Sequence, residues 1–276
     1  MIREILAIPA LSRGLAALIA TGISFPVIGT LILCLELVPA RFAVMHVALL
    51  GSALGMVFGI DPTVSALAAA ALAGFLVARL GEKSGASASG PLGLVMTLAM
   101  ALAFIIFYKT DINGIEAFNL FWGNILALNT GETRLTIAAA VLLPVLIAGF
   151  LRPILAVLFD RDLAAASGYP ARAIYYILVI GVCLGVGLAM RLTGALMADA
   201  STILPALAAR NMRKDFSKTL LWGAVFGLVN NIGGFVLALV FDLPISPAII
   251  VMGAVSVFAS SRIGKPAGLS LRRKSK

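Results

Sequence analysis

The feature that constrains this chain most is a succession of uncharged apolar runs, each long enough to carry a helix across a bilayer. With a rise of about 1.5 Å per residue, roughly twenty residues cross a hydrocarbon core of about 30 Å. Gly14 to Leu35 is the first run; Phe42 to Ile60 has His46 as its single ionisable residue; Pro62 to Ala78, Gly90 to Tyr108 and Leu135 to Leu151 follow. After a polar patch around Asp160 come Ala173 to Met190, Leu192 to Ala209 with Asp199 inside it, Thr219 to Phe241 and Leu243 to Ser261. Lipid offers backbone N–H and C=O groups no partner, so helices must satisfy them internally. The runs therefore predict an all-α, polytopic membrane helix bundle of eight or nine transmembrane helices. The count turns on Phe42 to Ile60, which meets Asp61-Pro62 at once and either crosses or folds as a hairpin or broken helix. Ile115 to Leu128, interrupted by Glu116 and Asn124, reads as a surface or re-entrant helix.

At 61% hydrophobic and 12% charged residues, the 276-residue chain has too little polar surface for a soluble enzyme, a disordered regulator or a nucleic-acid-binding domain. Its net charge of +9 reports orientation instead, because Lys and Arg accumulate in cytoplasmic loops. Arg161 with Arg172, then Arg210, Arg213, Lys214 and Lys218, then Arg262, Lys265, Arg272, Arg273, Lys274 and Lys276 mark three cytoplasmic segments. The short turns at Arg191 to Thr193 and Asp242 to Ser246 then face outside. Residues 1–262 form the transmembrane domain and 263–276 a basic tail, which places the chain in the cytoplasmic membrane with its C-terminus inside. Nine crossings put Arg3 and Arg13 outside; eight bring them inside. The first run is too long for a cleavable signal peptide and lacks a small-residue cleavage pattern. Glycines four residues apart, at 51 and 55, 181 and 185, and 223 and 227, predict close helix packing.

No Gly-x-x-x-x-Gly-Lys-Ser/Thr loop occurs, so any ATP that drives the protein binds another chain. One histidine and the absence of zinc-ligand spacing exclude a self-contained metalloenzyme; no catalytic residue and no permanently bound cofactor is expected. Cys34 and Cys183 lie in apolar runs and make no disulfide framework. The interruption from Phe159 to Pro170 has a clear local logic. Asp160 can cap a helix, the alanines propagate it, Gly168 can take the left-handed end and Pro170 stops it. The product is a two-turn cytoplasmic helix over about 159–168. It is either a capped connector between spans or a docking helix whose Asp160, Asp162, Ala164, Ala165 and Gly168 serve a partner's groove.

At these residues the sequence resembles the metal-ion permease subunits of ATP-binding-cassette importers, the family that transports zinc, manganese or iron, whose pattern here is Phe-Asp-x-x-x-Ala-x-x-x-Gly. Phe121-Trp122-Gly123-Asn124-Ile125-Leu126 is similar to its Phe-Gly-x-Ile-Leu segment. Gly194-Ala195-Leu196-Met197, followed by Leu204-Pro205-Ala206 and Ala208-Ala209-Arg210, is similar to its Gly-x-Leu-Leu and Ile-Pro-Ala-x-x-Ala-Arg helix. Asp242-Leu243-Pro244-Ile245-Ser246-Pro247 with Ile250-Val251 looks like its ending. The resemblance, from about residue 42 to 252, implies a homodimer of permease subunits, two cytoplasmic ATPase subunits and an extracytoplasmic metal-binding protein. It also implies a divalent transition metal as cargo.

The departures from the family pattern fall on the candidate site. The family's early helix carries Asp-x-x-x-His, which sets a carboxylate and an imidazole one turn apart on one face. Here His46 and Ala48 to Gly51 match, but Phe42 stands at the carboxylate position, and Glu36 replaces an Arg usual about ten residues before the histidine. A later helix carries Asp199 where the family has an apolar or small residue. Ionisable groups inside a span cost at least a few kcal/mol unless paired or hydrated, which makes Asp199 and His46 candidate metal ligands. Asp199, Ser201 and Thr202 break an apolar helix ahead of Pro205, whose missing N–H frees a carbonyl as an oxygen ligand. Each candidate has a structural alternative. Asp199 can be a packing partner of His46 or Asn230, and His46 can bond a nearby carbonyl. Glu36, a third candidate ligand, can form an interfacial ion pair beside Pro39 and Arg41. Ser201, Thr202 and Asn230 are candidate pathway residues, with Asn230-Asn231 either lining a pathway or joining helices.

The leading reading is a permease subunit of an ATP-driven importer. An ion-gradient-driven secondary transporter with Asp199 as proton carrier would favour inverted repeats, and the sequence offers none. An intramembrane enzyme with His46 and Asp199 as acid and base is poorly served by a single histidine. The charge clusters generate one direct prediction about topology. Cysteines placed at 213 and 272 should react with an impermeant maleimide in inside-out vesicles and stay unlabelled in intact cells; labelling from outside would reverse the orientation.

Overall fold

The computed structural model describes residues 9–84, 89–110, 125–212 and 215–263. Arg3, most of the Ile115 to Leu128 segment including Phe121 to Asn124, Arg213, Lys214 and the basic tail lie outside the described residues. The described residues fold into eleven α-helices and no strand: α1 (Pro9–Cys34), α2 (Val38–Phe58), α3 (Pro62–Ser84), α4 (Ser89–Lys109), α5 (Thr130–Gly149), α6 (Leu151–Phe159), α7 (Arg161–Ala166), α8 (Ala171–Thr193), α9 (Ala195–Met212), α10 (Phe216–Phe241) and α11 (Ile245–Ile263). Ile125–Ala127 forms a 3-10 turn before α5.

Eight of these helices are long and apolar enough to cross a membrane; α9, at 18 residues and carrying Asp199, is a ninth, more polar rod. The run at Phe42 to Ile60 is a complete helix, not a hairpin. Gly59 ends α2 in a left-handed conformation, and Asp61 accepts from Thr63 N–H and Val64 N–H to cap α3. Those two donors hold the Asp61 carboxyl below the usual carboxylate range.

The long helices alternate in direction. α1 lies antiparallel to α10, with Gly22 against Gly227 and Pro26 against Gly223. α3 lies antiparallel to α8, with Gly74 against Cys183 and Gly81 against Tyr175. Two packed groups result: α2, α3, α4 and α8 in one; α1, α9, α10 and α11 in the other, with α5 laid along α1. α8 joins them through contacts with α1, α2 and α9.

The turn between α8 and α9 is covered by the protein itself. Thr193 has no exposed surface and bonds the Ala189 carbonyl, while Leu192 and Met197 sit in a cluster closed over by Ile125 and Leu128. Covering this turn spares its apolar side chains from water.

The glycine pairs divide in the same physical way. Gly51, Gly55, Gly185, Gly223 and Gly227 each meet a neighbouring helix so closely that a β-carbon would crowd it, whereas among the described residues nothing lies within 4 Å of where a β-carbon of Gly181 would be. Gly227 is the tightest of the group, its missing side chain facing the Gly22 carbonyl. Gly227→Val should destabilise the bundle by about 1–3 kcal/mol or prevent its assembly, while Gly181→Val should leave thermal unfolding in detergent unchanged.

Candidate functional site

Pro39 sets the first turn of α2, and Arg41 and His46 follow in the next two turns. Asp199 lies one turn into α9. α2 and α9 are not packed on each other, yet Arg41 Nη1 donates to Asp199 Oδ1 at 2.5 Å across the seam between the two helix groups. The Arg41 side chain is 10% exposed and that of Asp199 31%. The guanidinium carbon lies 4.3 Å from the centre of the Phe42 ring, and its buried Nε has no hydrogen-bond acceptor.

His46 is buried one turn further along α2, with Nδ1 2.7 Å from the Phe42 carbonyl oxygen. A carbonyl only accepts, so Nδ1 carries a hydrogen and donates it. His46 also lies within electrostatic range of Asp199. The site thus has two donors of metal-ligand type, one carboxylate and one imidazole, on opposite sides of a seam that Arg41 bridges. No group of three or more His, Cys, Asp and Glu residues occurs among the described residues, so they supply less than a full coordination shell from one chain.

The other candidates lie elsewhere. Glu36 is exposed in the turn between α1 and α2, at a left-handed φ of 55°, and lines a cavity of about 350 Å³ with Arg161 and Tyr175. It does not pair with Arg41, whose side chain turns inward to the carboxylate of Asp199. Ser201 donates to Asn231, which also donates to the Leu18 carbonyl and to Thr21. Thr202 bonds back to the Ala198 carbonyl, and Asn230 accepts from Ser256. Ser201, Asn230 and Asn231 tie α1, α9, α10 and α11 together inside one helix group, whereas the Thr202 hydroxyl stays on α9 and also reaches the Asp199 backbone carbonyl at 3.4 Å.

At the end of the bundle that carries Glu36, α7 forms as its local sequence dictates. Asp160 Oδ1 accepts from Asp162 N–H and Leu163 N–H, and Gly168 takes φ 87° just past the C-terminus. Ala164 is buried against the bundle, while Asp162, Leu163 and Ala165 are exposed and Phe159 beside them is 84% exposed. Arg161 lies over the ring of Tyr175, which anchors α7 to α8. The pairing that the sequence did not disclose is that of Arg41, expected beside Glu36 and found on Asp199. Arg41 stands one position before a charge-free run, and two opposite charges on two spans must find each other in lipid.

Comparison with known proteins places these features in a family. The chain matches the ABC 3 transport family over residues 7–264. It is 25% identical over 256 residues to a manganese transport system membrane protein, MntC, of Halalkalibacterium halodurans, covering 93% of this chain and 87% of that protein. It is 24% identical over 223 residues to the high-affinity zinc uptake system membrane protein ZnuB of Haemophilus influenzae, covering 79% of this chain and 85% of that one. The fold superposes on a solved chain of PsaBC from Streptococcus pneumoniae in complex with Fab, with a TM-score of 0.83 at 23% identity, over 94% of this chain and 95% of that one.

The ion pair makes a thermodynamic prediction. Arg41→Ala leaves Asp199 without its counter-charge and should cost about 1–3 kcal/mol, less than a fully buried pair because the carboxylate keeps some exposure. Adding Asp199→Asn should recover most of that loss in thermal unfolding of the purified protein; strictly additive losses would show the pair to be uncoupled.

Proposed function

The chain belongs to the ABC 3 transport family, and from that premise we propose that it is the permease subunit of an ATP-driven importer carrying a divalent transition-metal ion across the cytoplasmic membrane. The observation that carries this reading is the extent of the family match, 7–264, which takes in both helix groups, the seam and α7. Manganese and zinc in the names of its relatives support a divalent cargo. So does the donor set, since imidazole and carboxylate without thiolate suit manganese, iron or zinc and disfavour copper(I).

In this reading Asp199 and His46 hold the ion briefly, with hydroxyl or backbone oxygens completing its shell. One chain offers one carboxylate and one imidazole; a second copy related by a twofold axis doubles them. The partial exposure of Asp199 supports such a neighbour or a water-filled pathway, because a carboxylate facing lipid costs several kcal/mol. The α7 end faces the cytoplasm with the C-terminus. There, α7 docks to one of two ATPase subunits through its exposed small face, while an extracytoplasmic binding protein delivers the ion at the other end. ATP binding draws the ATPases together, shifts α7 and reorients the pathway. Asp199 as a lone proton carrier is disfavoured by its ion pair with Arg41.

Reconstitution with the ATPase subunits tests this reading. Vesicles should accumulate radioactive manganese or zinc only with ATP, Ala165→Arg should abolish uptake and stimulated hydrolysis without disturbing the bundle, and Asp199→Asn should cut uptake at least about tenfold. Uptake independent of ATP, or full turnover with Ala165→Arg, would overturn it.

A further inference from the structure

The Arg41 guanidinium sits where a transported cation would be useful. It is almost buried, it holds the one carboxylate of the seam, and it reaches that carboxylate from a helix that does not pack on α9. Its Nε is buried without an acceptor, so the side chain gives up hydrogen bonding to stay there. We propose that Arg41 is a tethered counter-cation for Asp199, which bolts the seam between α2 and α9 when no ion is present and which an entering divalent cation must displace. This rests on the reading of Asp199 as a ligand and names the residue that regulates that same site.

The physical argument is one of competition at a single carboxylate. A free monovalent ion offers the carboxylate the same charge as the guanidinium, without the high effective concentration of a tethered group, and without its directed N–H donors. A divalent ion offers twice the Coulomb attraction at equal distance, and the imidazole of His46 on α2 is a donor type that transition metals use and sodium or potassium uses poorly. Arg41 therefore selects by charge and by softness, and it keeps the carboxylate neutralised between turnovers. Phe42 supports this role: its ring faces the guanidinium from α2, at the position where the sequence resemblance leads one to expect a second carboxylate. An acid there would compete for Arg41 on its own helix and unbolt the seam.

The test measures manganese binding to the purified permease with its ATPase, from the electron paramagnetic resonance signal of free Mn²⁺, in the parent, Arg41→Gln, Arg41→Lys and Asp199→Asn. Arg41→Gln removes the competitor, so Mn²⁺ should bind about tenfold more tightly, and 100 mM-range sodium, roughly physiological ionic strength, should weaken binding in this variant and not in the parent. Arg41→Lys keeps the charge without the planar fork, so it should assemble normally and show a smaller tightening in the same direction. It decides the matter even where Arg41→Gln fails to assemble. Unchanged Mn²⁺ affinity and sodium sensitivity in Arg41→Lys and Arg41→Gln, with the parent binding Mn²⁺ and Asp199→Asn not, would overturn the counter-cation while leaving the transport reading intact. Absence of Mn²⁺ and Zn²⁺ binding in the parent as well would overturn both.

Discussion

Hydrocarbon supplies no hydrogen bonds, and the interior of this bundle is organised by that lack. Thr21, Thr30, Thr193 and Thr202 each turn their hydroxyls back to the carbonyl four residues earlier, so that the O–H of a buried side chain is satisfied within its own helix. Where three helices meet, Asn231 gathers Ser201, Thr21 and the Leu18 carbonyl into one set of bonds. Charge admits fewer solutions than a hydroxyl does. Arg41 and Asp199 neutralise each other across the seam because neither could remain there alone.

The glycines settle how close the two helix groups come. Within each group backbones approach until only glycine fits, as at Gly227 beside Gly22 and at Gly29 beside Thr202. Between α2 and α9 there is no such approach, and a long side chain spans the distance instead. Tight packing makes each group a rigid body, since dense interiors transmit displacement without absorbing it. The two groups meet along α8, which packs on α1 and α9, whereas between α2 and α9 the ion pair is the contact that would have to break for the two helices to part.

The elements that were legible in the sequence are those set by local chemistry. The apolar runs fixed nearly every long helix, and Asp160, the alanines and Gly168 specified α7 residue by residue. The partners of the ionisable groups were not legible, because Arg41 and Asp199 are 158 positions apart and no periodicity links α2 to α9. The burial of Thr193 was not legible either: its turn is short and looks exposed by itself, while its neighbours Leu192 and Met197 share a cluster with Ile125 and Leu128 from a distant part of the chain. Gly181 and Gly227 share one motif, and only their position in the bundle tells a contact glycine from an idle one.

In the proposed reading Asp199 supplies the carboxylate that position 42 lacks, and that changes what ion binding can do. With an acid and an imidazole one turn apart on a single helix, the distance between the two donors is fixed by helix geometry and stays the same however the bundle moves. Here His46 stands on α2 and Asp199 on α9, so that distance is set by the width of the seam. A ligand that prefers one width shifts the population toward it by its differential affinity and by no more. In the transport reading, ion occupancy and the arrangement of the two helix groups then become one equilibrium, with Arg41 as the competing occupant. An ion held across a seam is also released when the seam widens, which a pair of donors on one rigid helix would not allow.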